Sequence, residues 1–148
     1  MSDSRDRIGF VVQDLVNRIS HRGGATLTLM SEAQVTLQHV IIMMRLHESG
    51  AASVSGVAAD LNLSRPAASL AIERLVHLGL VRRVEDAVDR RRKIVNLEKK
   101  GLHLIRRLIE ARAAEYEAAL APTPPSLQRK LAAVIAEVLA TLRNPGDT

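Results

Sequence analysis

The sequence predicts a mainly α-helical fold with one small β-hairpin. Apolar residues recur at helical spacing through most of the long segments. One run rich in β-branched residues, Leu80 to Leu97, is split by a polar turn. Directly before it, two short helical segments are separated by about four residues.

The first helix is expected from about Asp6 to Ser20, on Ile8, Val11, Val12, Leu15 and Ile19. His21-Arg22-Gly23-Gly24 breaks it. Ser31 is read as the N-cap of a second helix that runs through Val35, Leu37, Val40, Ile41, Met44 and Leu46 to Glu48. This helix is apolar around most of its circumference, so it should be central and buried. Ser49 to Ala52 is a turn, and Ser53-Val54-Ser55 a short extended piece. Ser55 is the expected cap of a third helix carrying Val57, Ala58 and Leu61.

The fourth helix, Ser64 to Gly79, is the segment with the clearest signals. Ser64 can accept from an orphan backbone N–H, Pro66 lies in the first turn where no N–H is needed, and Gly79 is a natural stop. At about 3.6 residues per turn, Ala68, Ala71, Ile72, Leu75 and Leu78 form a core stripe. Pro66, Ser69, Leu70 and Glu73 lie opposite. The N-terminal part of that outer face is small and nearly uncharged, so another surface can approach closely. Arg65 puts a cation in the first turn, against the helix dipole, a departure typical of functional positions.

Leu80 to Glu85 and Arg92 to Leu97 are strands, and Asp86 to Arg91 is their turn. Glu98-Lys99-Lys100-Gly101 opens a long helix on Leu102, Ile105, Leu108, Ile109 and Tyr116, which ends at Pro122-Thr123-Pro124-Pro125. A sixth helix carries Leu127, Leu131, Val134, Ile135, Val138, Leu139 and Leu142, and Asn144-Pro145-Gly146 is expected to fray. A helix-turn-helix followed by a basic hairpin is a winged helix, whose second helix is built for a DNA major groove.

Composition agrees. The 148 residues suffice for one domain with a core, and 47% hydrophobic content marks a globular chain. A net charge of +5 suits a polyanionic partner. One Phe, one Tyr and no Trp argue against binding single strands by base stacking. The absence of Cys excludes disulfides, zinc–thiolate sites and thiol switches. No apolar run approaches the roughly 18 residues that cross a membrane, and Met1 to Arg7 is too acidic and short for a signal peptide. A soluble cytoplasmic protein is expected.

Among His21, His39, His47, His77 and His103 none is three or four residues from another, so no helical metal pair exists and no metal is expected. There is no nucleophile elbow, no Gly-rich phosphate loop and no useful carboxylate constellation. The chain is therefore expected to be no enzyme and to need no cofactor. The apolar stripes of the first and last helices exceed what a lone winged helix needs. They either pack within the chain or pair with a second copy, as two-fold DNA readers do.

The chain resembles the MarR family of bacterial transcriptional regulators. The residues that carry the resemblance are Leu61-Asn62-Leu63-Ser64-Arg65, Arg74-Leu75, Leu78-Gly79-Leu80-Val81-x-Arg83, Asp89-Arg90-Arg91 and Leu97-x-x-x-Gly101. They run in order from about Ser31 to Leu104. The resemblance implies one MarR-like domain over residues 1–148, with a winged helix-turn-helix lobe at 31–98 and dimerisation helices at 1–22 and 99–143. It also implies a homodimer on a palindromic operator in double-stranded DNA. Members usually repress transcription, and many release DNA when a small organic effector binds between the lobes. The recognition-helix contacts it implies are Ser64, Arg65, Pro66, Ala67, Ser69, Leu70 and Arg74. The wing contacts are Asp89, Arg90 and Arg91, with the Asp orienting an Arg in the minor groove, where a narrow groove enhances the negative potential. Two features depart from the pattern. Leu70 stands where relatives often carry Arg, and Glu98 replaces a capping threonine, a task left to Asn96. Arg90, Arg92 and Lys93, with Arg82 and Arg83, are assigned to phosphates or solvent rather than bases. Two other readings stay open, a helical protein-interaction module and a non-specific architectural DNA-binding protein; the first leaves the basic wing unexplained.

Overall fold

A computed structural model describes residues 7–20 and 24–143. Its elements are helices α1 (Ile8–Ile19), α2 (Ala25–Glu32) and α3 (Leu37–Ser49), strand β1 (Ala52–Ser53), helices α4 (Val54–Asp60) and α5 (Arg65–His77), strands β2 (Val81–Glu85) and β3 (Lys93–Leu97), and helices α6 (Lys99–Leu120) and α7 (Pro125–Arg143). The break expected at His21 to Gly23 and the fraying end at Asn144 to Gly146 lie outside the described residues.

Contacts divide the chain into two compact units, Gly23–Arg112 and a second made of residues up to Arg22 with those from Ala113 onward. The boundary falls inside α6.

The core of the first unit is built from α3, α5, β2, β3 and the first half of α6. Ile42, Met43, Ile72, Leu75, Leu80, Val95 and Ile105 are fully buried, and Leu29 and Met30 of α2 pack against them. Each such side chain contributes about 1.5–3 kcal/mol relative to leaving it in water. Burial along α5 falls on Ala68, Ala71, Ile72 and Leu75, the stripe that helical spacing predicts. The sheet has the order β1-β3-β2 and is antiparallel throughout. Arg83 lies opposite Val95, and Glu85 opposite Lys93, where the two charges pair at 2.9 Å.

Among the described residues, seven helices and three strands replace the expected six helices and a hairpin. The second helix does not start at Ser31. That residue lies in the last turn of α2, and α3 starts six positions later. Between them Gln34 is left-handed, with φ 57°. The Gln34 N–H donates to the Ser31 carbonyl and the Val35 N–H to the Met30 carbonyl, both at 3.0 Å. This is the Schellman ending of a helix, closed over the buried Val35. The same ending closes α4 at Asn62, φ 51°, with the Leu63 N–H on Ala58, and α5 at Gly79, φ 71°, with the Leu80 N–H on Leu75. Only the last uses the residue that makes such an ending cheap.

Two caps are also corrected. Ser53, not Ser55, caps α4, its hydroxyl accepting from the Gly56 N–H at 2.9 Å. Ser53 is at once the end of β1, so one residue serves strand and cap. Asn96 lies inside β3, paired to Arg82, and Glu98, not Asn96, flanks α6, its carbonyl accepting from the Leu102 N–H.

Candidate nucleic-acid interface

The site is built on the outward half of α5. The Ser64 hydroxyl accepts from the Ala67 N–H at 3.2 Å, so the helix starts where the sequence predicts. With the stripe from Ala68 to Leu75 committed to the core, Ser64, Arg65, Pro66, Leu70, Glu73 and Arg74 are left exposed. Ala67 and Ser69 are half-buried. Leu70 is 69% exposed and has no core role. Lys100 donates to the Leu78 carbonyl at 2.8 Å, placing a cation at the negative end of α5.

The wing tip is a hydrogen-bonded turn. The Asp86 N–H donates to the Arg92 carbonyl at 3.0 Å, and the Val88 N–H to an Asp86 carboxylate oxygen at 2.9 Å. Asp89 accepts from the Arg91 backbone N–H at 3.0 Å through its carboxylate, and from the Arg92 N–H at 2.9 Å through its carbonyl. Its carboxylate thus orients the Arg91 main chain; among the described residues no ion pair joins it to the Arg91 guanidinium. Arg90 and Arg91 are exposed, and Val88 at the tip is 96% exposed.

Strand alternation separates two arginines that the sequence treats alike. Arg82 points outward, 3.7 Å from the Glu98 carboxylate. Arg83 turns in toward α5, where its Nη2 donates to the Ser69 hydroxyl at 3.2 Å and lies 3.5 Å from the Ser69 carbonyl. Helix and wing are joined by this strut. Around it lies a cleft of about 150 Å³, lined by Ser53, Val54, Ser55, Arg65, Ser69, Arg83, Arg91, Arg92 and Lys93. The fold thus brings Arg65 and Ser69 of the helix together with Arg91 of the wing. Arg83 escaped a reading of the sequence as a strut because its partner is 14 residues away. The one available signal was its strand parity.

Leu70 and Arg74 border a different hollow, shared with Thr36 and His39 at the start of α3. Arg74 donates to the Gln34 side-chain oxygen at 3.1 Å. Thr36 and His39 form a reciprocal cap: the His39 N–H donates to the Thr36 hydroxyl at 3.4 Å, and the Thr36 N–H to His39 Nδ1 at 3.0 Å. That second bond requires an unprotonated Nδ1. Burial pushes the His39 pKa below its ordinary 6.5, and the neighbouring Arg74 guanidinium pushes it the same way.

Comparison with known proteins places this geometry. Residues 35–93 match the model of the MarR family, a segment that starts at the turn before α3 and ends at the first residue of β3. A search of curated proteins finds no match. The chain is similar in fold to the transcriptional regulator Tm0710 from Thermotoga maritima, with a TM-score of 0.75 and 16% identity over 93% of this chain and 96% of that one. It is similar to a point mutant of MarR from E. coli, with a TM-score of 0.72 and 14% identity over 89% and 96%. A third similar structure is of BpsR from Bordetella bronchiseptica, described as the mechanism by which 6-hydroxynicotinic acid regulates its DNA binding. Its TM-score is 0.56, with 16% identity over 90% and 98%.

Proposed function

We propose, from the family match over residues 35–93, that this chain is a MarR-family DNA-binding transcriptional regulator, a homodimeric repressor on a palindromic operator that a small organic ligand releases. One observation carries the reading. The outer face of α5 is free of core duties and is strutted to a basic wing through Arg83 and Ser69. A base-reading helix needs such freedom, and a wing needs a fixed distance from it.

In this reading Ser64, Arg65, Pro66, Ala67, Ser69, Leu70 and Arg74 face the major groove. Arg90 and Arg91 follow the backbone or enter the adjacent minor groove, and Asp89 holds the turn that presents them. Dimerisation falls to α1 and α7, whose apolar residues are left exposed, among them Ile8, Phe10, Val134 and Val138. Facing recognition helices one turn of DNA apart then require an operator of matching symmetry. BpsR, whose DNA binding 6-hydroxynicotinic acid regulates, supports the ligand-released mode. No helix among the described residues is long and apolar enough to cross a membrane, in keeping with a cytoplasmic regulator.

The test is selection of duplexes from a random-sequence pool by the full chain, followed by titration of the winner at several salt concentrations. A palindromic consensus bound at two protomers per duplex is expected. Salt-sensitive binding without a consensus would leave an architectural protein, and recovery of no duplex would leave an interaction module.

A further inference from the structure

In a capping box the third helical residue reaches back to the backbone N–H of the cap, a task that Glu or Gln ordinarily performs. In α3 the position belongs to His39. Imidazole is the side chain whose charge ordinarily changes between pH 5 and 8. Two hydrogen bonds are open to it at this cap. Unprotonated Nδ1 accepts from the Thr36 N–H at 3.0 Å. Once protonated it only donates, and the Thr36 hydroxyl oxygen stands 3.1 Å away to receive it. Gaining a proton therefore exchanges one bond for another, and the bond from the His39 N–H to the Thr36 hydroxyl remains. His39 shares a hollow of about 600 Å³ with Leu70, Glu73 and Arg74 of α5. Glu73 and Arg74 are the charged groups that α5 brings to it. The turn before α3 adds the uncharged Gln34, whose side-chain oxygen accepts from Arg74 at 3.1 Å. Glu32 of α2 lines a separate hollow, and Arg45 of α3 is engaged with Asp60 at 2.7 Å. Burial, and after it the Arg74 guanidinium, holds the His39 pKa below 6.5.

We propose that His39 and Arg74 form a proton switch that ties operator binding to pH, the chain taking up a proton at His39 when Arg74 leaves Gln34 for the DNA. The proposal rests on the reading of the chain as a DNA-binding regulator with Arg74 on the groove side of α5. In the free chain Arg74 stays on Gln34, close enough to the ring for its charge to disfavour a second cation. In the complex the guanidinium turns to acceptors on the DNA, and the dense negative charge of the duplex enters the same neighbourhood. Both changes favour the imidazolium, so the His39 pKa rises on binding. Coupling between two ligands is reciprocal. If DNA favours the proton, the proton favours DNA. Operator affinity is then flat at high pH and grows as pH falls through the pKa of the complex, until the free chain is protonated as well. Stability of the free chain runs the other way, because folding lowers the same pKa. Mild acid thus tightens the complex while it loosens the unbound fold.

The test compares the full-length wild type with His39→Gln, which keeps an acceptor for the Thr36 N–H and removes the titration. Each is titrated with the duplex that the full chain selects, from pH 8 to pH 5.5 at fixed salt. Wild-type affinity should gain about tenfold more than that of the variant, the equivalent of one pKa unit of coupling. The variant's own gain measures the other histidines. Arg74→Gln, with His39 intact, should bind more weakly and lose the excess gain. Calorimetry at pH 6.5 in two buffers of different ionisation enthalpy should show proton uptake by the wild type that both variants lack. Parallel pH profiles for wild type and His39→Gln, on a duplex that both bind, overturn the switch and leave the regulator reading standing. A wild type that loses affinity in acid relative to His39→Gln overturns it too, and reduces the ring to a cap. An excess gain that survives in Arg74→Gln removes Arg74 from the switch and overturns the proposal as stated. Recovery of no duplex at all overturns the regulator reading and the switch with it. If His39→Gln does not fold, the ring signals of His39 in the wild type, followed by NMR with and without the duplex, carry the test. A pKa that DNA does not raise overturns the proposal.

Discussion

The winged-helix unit and the terminal helices carry the same kind of apolar stripe and use it in opposite ways. In the first, Ile42, Met43, Ile72, Leu75 and Ile105 lose all contact with water. Along α1 no residue is buried, and the Arg7 guanidinium lies over the Phe10 ring, 5.7 Å from the centroid. Along α7, Leu127, Val134, Ile135, Val138, Leu139 and Leu142 are exposed. Amphipathicity therefore tells that a face has to be covered, and nothing about what covers it. Within Gly23–Arg112 the covering elements come from the same chain. For α1 and α7 we propose that a second copy supplies them.

The largest effect is expected where the winged-helix unit is tightest. Gly101 sits in the first turn of α6 against the start of β2. A Cβ there would collide with the Leu80 carbonyl oxygen and come within 3.1 Å of the Leu97 side chain. Neither backbone can yield without moving the helix. Gly101→Ala should therefore cost about 3 kcal/mol, the upper range of overpacking, read as a shift in the denaturant midpoint. A wild-type midpoint would mean that α6 does not pack this closely.

The terminal helices should respond differently. Val138→Asp falls on a side chain that is 51% exposed in the single chain, and would place a charge in the apolar interface proposed for α7. Sedimentation at micromolar concentration should pass from dimer to monomer while hydrogen exchange in α3 and α5 stays slow. A variant that still sediments as a dimer would remove α7 from the interface.

Leu70 tests the same contrast within one helix. Next to the buried Ala71 and Ile72 it stands 69% exposed. Leu70→Ala should leave stability within about 0.5 kcal/mol and cost about 1 kcal/mol of binding, confined to one or two base pairs where the side chain meets a thymine methyl. The salt slope should not change, since no counterion is released. A large fall in melting temperature would put Leu70 in the core.

The smallest effect concerns the cap that starts α3. Because the His39 pKa is lowered on folding, the folded state holds fewer protons than the unfolded chain between that lowered value and 6.5. Stability from this residue is thus complete above about pH 6.5 and declines as pH falls toward the folded value, when Nδ1 can no longer accept from Thr36. Melting curves from pH 7.5 to 5 should show a decline in the wild type that His39→Ala lacks. Equal declines in both would assign the effect to other groups.

What the sequence by itself determined was local. The Ser64 cap, Pro66 in the first turn, the stripe from Ala68 to Leu75 and the hairpin around Asp86 to Arg92 all follow from propensity and periodicity within a few residues. The family resemblance, too, was legible in residues 61–101, and the family match covers 35–93. The tertiary structure decided what depends on distant partners. It divided α2 from α3 at Gln34, a residue that carries none of glycine's ease in the left-handed region, in a turn that delivers Val35 to the core. It turned Ser53 into a strand end by pairing it with Ile94, 41 positions later in the numbering. It sent Arg83 inward to Ser69 and Arg82 outward, a choice fixed by which face of β2 lies on α5. Short-range rules follow from the backbone's own geometry, whereas these three outcomes depend on which surfaces meet, and a periodic pattern carries no record of the meeting.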